Sequence, residues 1–127
     1  MKLLRLLSAV LLLTLVAGCA ALIPADMEKA LAEQYATLPL AGEGREVDRR
    51  IRGGYQGFTL EVDIEGAEGF REDAFIKRME DAGWTFKWSR LETRREVYEK
   101  GSWGATLTDL KMPEGQVRVM IYELPSK

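Results

Sequence analysis

Between Phe58 and Ile64 the side chains alternate without a break, with Phe58, Leu60, Val62 and Ile64 apolar and Thr59, Glu61 and Asp63 polar. A period of two places the four apolar groups on one face of an extended strand, and such a face must be covered. The cover follows directly. Gly66 and Gly69 end the run, after which Phe75, Met79 and Ala82 recur at i, i+4 and i+7 with Ile76 beside them, the stripe of an amphipathic helix. Lys77, Arg78 and Glu80 fall largely on its polar side. Glu72 and Asp73 suit its start through the helix dipole, and Gly83 can stop it in the left-handed conformation.

From Trp84 the period returns to two, with Trp84, Phe86 and Trp88 on one side and Thr85, Lys87 and Ser89 on the other. Residues 92–95 turn the chain, and Glu96 to Lys100 reads as a third strand whose inward face, Val97 or Tyr98, is ambiguous. Gly101-Ser102-Trp103-Gly104 reads as a turn, Ala105 to Lys111 as a fourth strand and Pro113-Glu114-Gly115 as a further turn. Val117, Val119 and Ile121 mark a fifth strand. The order β-α-β-β-β-β predicts an α+β two-layer sandwich, one amphipathic helix on a mainly antiparallel sheet.

The N-terminal part is less regular. Pro24-Ala25-Asp26 opens a short helix over Met27 to Ala36, with Met27, Ala30 and Leu31 at helical spacing. Pro39, Gly42 and Gly44 break that pattern, and the polar, turn-rich stretch up to Gly54 suits a tether or an irregular edge. Arg45, Arg49, Arg50 and Arg52 could be drawn to anionic head groups. Glu43, Glu46 and Asp48 are interleaved with them, which favours a solvated linker or a polar edge strand. The expected division is therefore a leader over 1–18, a short helix and tether over 19–52, and a compact domain over 53–127.

The leader has a basic start, Lys2 and Arg5, then twelve mostly aliphatic residues from Leu6 to Ala17, the order of a secretory signal. Its end, Val16-Ala17-Gly18-Cys19, resembles the lipobox of bacterial lipoproteins. That resemblance implies cleavage before Cys19, lipidation of its thiol, and a lipid anchor in the cell envelope. Ala20, rather than aspartate, follows Cys19 and resembles the class sorted to the outer membrane, facing the periplasm. An uncleaved span over the twenty uncharged residues from Leu6 to Ala25 is the alternative. Further on, Phe75, Met79, Gly83-Trp84, Tyr98-x-Lys100-Gly101 and a closing valine/isoleucine strand ending Leu124-Pro125 resemble small uncharacterised envelope lipoproteins. The resemblance implies the fold and carries no activity.

Chemistry is bounded mainly by exclusion. There is no histidine and one cysteine, which removes Ser-His-Asp and Cys-His catalysis and the commonest zinc ligand sets. Two of the 18 basic residues precede Cys19, so the remainder carries 16 against 20 acids, about −4, without a long basic block. Nucleic acid is therefore excluded as a partner. Asp63, Glu65, Glu68, Glu72 and Asp73 bunch near one loop but lack calcium-loop spacing, so neither metal nor cofactor is expected. No glycine pattern of a phosphate loop occurs. Two tryptophans remain as candidate binding residues. Trp88 belongs to the aromatic strand, and Trp103 lies in a glycine-flanked turn where strand periodicity does not demand it. The expectation is a non-catalytic interaction domain with an envelope protein partner. A binder of envelope glycan or a small ligand through exposed aromatics is the alternative, and a carboxylate-only hydrolase a distant third.

Overall fold

The computed structural model describes residues 23–42, 44–54, 57–66 and 73–126. The segment expected as a leader, and Cys19 after it, lie outside them, as do Glu68 and Glu72. Among the described residues two α-helices, α1 (Ala25–Ala36) and α2 (Asp73–Asp81), accompany six strands. These are β1 (Arg45–Gly54), β2 (Gly57–Glu65), β3 (Thr85–Arg90), β4 (Arg95–Lys100), β5 (Trp103–Thr108) and β6 (Gln116–Glu123). They form one sheet in the order β1-β2-β6-β5-β4-β3, every neighbouring pair antiparallel. The fold is α+β, as the change of period along the chain predicts. Since β2 and β3 run the same way from different ends of that order, the chain between them crosses over the sheet and carries α2 with it.

Where α2 ends shows why it ends there. Gly83, at φ 95°, directs its own N–H to the Glu80 carbonyl (2.9 Å) and the N–H of Trp84 to the Met79 carbonyl (2.9 Å). This is the Schellman closure, which needs a left-handed residue that glycine supplies without a Cβ penalty. The closure turns Trp84 inward, where it is fully buried. Phe75 and Met79, the buried face of α2, lie in the same cluster. Phe75 meets Tyr98 of β4 edge to face, with ring centroids 6.4 Å apart.

The N-terminal segment belongs to this core. Leu31 and Tyr35 of α1, followed by Leu38 and Leu40, are buried with Leu60, Val62 and Ile64 of β2 and Val117, Val119 and Ile121 of β6. The boundary expected near Gly53 thus falls inside β1, and of the two readings of the stretch before it, tether or polar edge strand, the structure has the edge strand. β1 pairs with β2 from Arg45 opposite Glu65 to Gly54 opposite Gly57. Its pairing is specified by charge rather than by apolar alternation. Arg45 meets Glu65 at 2.5 Å and Arg50 meets Glu61 at 2.7 Å, while a bulge between Glu46 and Asp48 leaves Val47 exposed. Charged residues and a bulge are devices that keep an edge from pairing with other chains.

Two strand boundaries also move. Trp103 is not in a turn: it opens β5, opposite Lys100 on one side and Glu123 on the other. Gly101 and Ser102 alone make the connection, with Gly101 at φ 60° in the first central position, the place a II′ hairpin turn gives to glycine. At its other end β5 stops at Thr108 rather than at Lys111, because Lys111 itself has φ 60° and cannot continue a strand.

Candidate binding face

Directly opposed residues of an antiparallel pair point to the same side, so the register maps each face of the sheet. The helix side carries Leu60, Ile121, Ala105 and Tyr98 in one cross-strand row. The other side carries three rows, of which the central one runs Arg50, Glu61, Met120, Thr106, Val97 and Trp88. Beside it run Arg52, Thr59, Tyr122, Gly104 and Glu99, and on the far flank Asp48, Asp63, Arg118, Thr108, Arg95 and Arg90. Among the described residues no helix covers this face.

A bulge decides which aromatic residues reach it. Pairing between β3 and β4 steps from Phe86 opposite Tyr98 to Trp88 opposite Val97, so Lys87 is the extra residue. An extra residue reverses the alternation beyond it. Phe86 therefore faces the helices, its ring 5.6 Å from that of Tyr98, while Trp88 faces away and is 40% exposed. The common face expected for Trp84, Phe86 and Trp88 is corrected by this bulge. The guanidinium of Arg90 lies 5.1 Å above the Trp88 ring. Trp103 shares the helix side with Ala105 and Leu107 and packs, partly buried, against the core, so the structure separates the two candidate tryptophans onto opposite sides.

The β1, β2 and β6 portion of the face is an ion-pair lattice. Asp63 is buried, accepting from Arg118 Nε at 2.9 Å and Nη2 at 3.2 Å, and from Arg50 Nη1 at 3.3 Å. Arg50 also donates to Glu61 and Asp48, each at 2.7 Å, and Arg52 donates to Glu61 at 3.1 Å. Hydrogen bonding from Arg118, reinforced by Arg50, holds the Asp63 carboxyl below its usual range despite burial, and the same bond raises the Arg118 guanidinium. Toward β5, the Tyr122 ring lies flat over Gly104. A Cβ there would stand 2.8 Å from Cζ and nearer still to Cε2, and the phenol is hydrogen-bonded to Thr106 Oγ1 at 2.7 Å. A glycine opposite a recumbent aromatic ring closes a bare patch of sheet.

Of the acids expected near one loop, Asp63 and Glu65 lie on β2 and Asp73 opens α2. Among the described residues no group of three metal-ligating side chains comes together. Sequence reading missed Arg118, Tyr122 and Val97. The signal for the first two was present in the polar half of β6, where Gln116, Arg118, Met120 and Tyr122 alternate with Val117, Val119 and Ile121. Beneath the helices lies a second polar pair. The buried Tyr98 hydroxyl donates to Glu96 at 3.0 Å, and burial together with the Glu96 carboxylate pushes that phenol well up. No known protein family matches this chain, and no match was found among curated proteins or solved structures.

Proposed function

We propose that this chain is a lipid-anchored protein of the cell envelope whose sheet face opposite α1 and α2 binds a protein partner without catalysing a reaction. The observation that carries the reading is Trp88, a half-exposed tryptophan brought to that face by a bulge, which stands beside the buried Val97 and Thr106 with Arg90, Arg95 and Glu99 in the flanking rows. An aromatic centre with a charged surround is the composition of a binding hot spot. The acids that β1 and β2 bring to the face, Asp48, Glu61 and Asp63, are already paired with arginines. Asp63 is held ionised between two guanidinium groups, which suits a structural role rather than proton transfer. Arg90 occupies one face of the Trp88 indole, where a sugar ring would have to stack, and this weighs against the glycan alternative.

Anchoring rests on Val16-Ala17-Gly18-Cys19. With α1 starting at Ala25, the chain from Cys19 to the first helix reaches at most about 20 Å when extended. A lipidated Cys19 would therefore hold the domain close to the bilayer, on the periplasmic side and, by the identity of Ala20, at the outer membrane. Palmitate labelling with mass measurement of the mature N-terminus tests the anchor, and an unlabelled product the same as that of Cys19→Ser would contradict it. The face is tested by a photoreactive phenylalanine analogue placed at 88 or at 103 in intact envelopes. Position 88 is expected to give a discrete adduct and position 103 none. Peptidoglycan pull-down abolished by Trp88→Ala, with no protein adduct, would replace this reading with the glycan one.

A further inference from the structure

Two loops leave the same end of the sheet, because β3 and β5 run in the same direction. They are residues 91–94 between β3 and β4, and residues 109–115 between β5 and β6. They are fastened to one another. Thr108 Oγ1 donates to the Thr93 carbonyl at 3.3 Å and accepts the Leu110 N–H at 3.2 Å, while Arg94 donates to Asp109 at 2.8 Å. From this joined tip Leu91 stands 85% exposed and Leu110 42% exposed. Arg90, Arg94, Arg95 and Lys111 flank them against Glu92, Asp109 and Glu114, and with Arg94 paired to Asp109 a small cationic excess remains. Arg90 and Arg95 are directly opposite in register, so their side chains share a face, a juxtaposition of like charge that costs stability.

The backbone supplies an independent observation. Among the described residues, positive φ falls on glycine at Gly57, Gly66, Gly83, Gly101 and Gly115, and on other residues at Arg94 (49°) and Lys111 (60°). Both exceptions are cations, and each sits in one of these two loops. A left-handed conformation favours glycine or asparagine, and an outlier of this kind points toward function.

We propose that this tip docks on an anionic lipid surface, with Leu91 and Leu110 entering the head-group region and Arg90, Arg95 and Lys111 meeting the lipid phosphates. A leucine projecting from a convex turn has no pocket of its own to fill, and a deformable interface accommodates it where a rigid protein surface would need a matching hollow. Aliphatic side chains beside a small excess of cations suit the boundary between acyl chains and negatively charged head groups. A soluble polyanion would satisfy the cations and leave the leucines in water. The contact does not depend on an acyl chain at Cys19 and so goes beyond the anchoring proposed above.

Hydrogen exchange on the full chain, bound to vesicles of phosphatidylcholine alone or of equal parts phosphatidylcholine and phosphatidylglycerol, tests it. Exchange at 91–94 and 109–112 is expected to slow severalfold on the anionic vesicles only. Leu91→Asp combined with Leu110→Asp removes that slowing while the amides of β2 and β6, which report folding, remain protected. Equal exchange on both vesicles overturns the proposal, and so does equal slowing by soluble polyglutamate, which would assign the tip to an acidic protein. Failure of the lipid anchor is read separately, as loss of the chain from the uncharged vesicles on flotation.

Discussion

The indole N–H of Trp84 donates to the Thr37 hydroxyl at 3.0 Å, and that hydroxyl donates in turn to the Gln34 carbonyl at 2.7 Å. One side chain just past α2 is thereby tied to the last turn of α1, 47 positions earlier in the chain. Thr37→Val keeps the shape and leaves the buried indole N–H unpaired, a loss expected to cost about 1–3 kcal/mol in chemical denaturation. Thr37→Ser should restore most of it. The same connection implies that a chain beginning at Gly53, lacking α1, Leu38, Leu40 and most of β1, gives a disordered far-ultraviolet circular dichroism spectrum.

Gly104 has no room for a side chain beneath Tyr122. Gly104→Ala is expected to lift the ring, break its bond to Thr106 and destabilise by about 1–3 kcal/mol. Adding Tyr122→Ala removes the clash, so the double variant should lose less in urea than the two single losses taken together.

Acid sensitivity should centre on Asp63. Its folded pKa lies below the unfolded value of about 3.9, chiefly because Arg118 hydrogen-bonds the ionised form. The stabilisation is present above the unfolded value and is lost as pH falls through the folded one. Stability should therefore decline below about pH 4, and Arg118→Gln should flatten that acid limb while also lowering stability at neutral pH.

At the other extreme Tyr98 has its pKa raised, first by burial and then by Glu96. Its contribution is complete below the unfolded value of about 10 and is lost as pH rises beyond it. Unfolding followed by circular dichroism should accordingly begin above about pH 10. Tyr98→Phe should be less stable at neutral pH, through loss of the bond to Glu96, but less sensitive to alkali.

What could be read beforehand was whatever periodicity writes plainly. Phe58 to Ile64, the Phe75 and Met79 stripe, the Gly83 stop and the Val117 to Ile121 alternation each specify an element by themselves, and each is present. β1 is legible only as one of two alternatives, a tether or a polar edge strand, because its partner preference resides in ion pairs to β2 that emerge only once the register is known. Leu38 and Leu40 sit in a proline- and glycine-broken stretch with no period, yet they fill the core. The candidate binding face is half legible. Trp88 stands out in the sequence, but its side of the sheet depends on a one-residue bulge that alternation cannot foresee, and the close glycines Gly101 and Gly104 make Trp103 read as a turn residue.

The division of the two tryptophans between opposite sheet faces is the claim on which the proposed binding face stands, and a pair of thermal melts tests it most directly. Trp103→Ala removes a side chain packed against the core and should cost about 2–4 kcal/mol, lowering the midpoint by roughly ten degrees or more. Trp88→Ala removes a half-exposed ring opposite Val97 and should leave the midpoint within a few degrees of the unaltered chain. A large fall on losing Trp88, with little change on losing Trp103, would contradict the account.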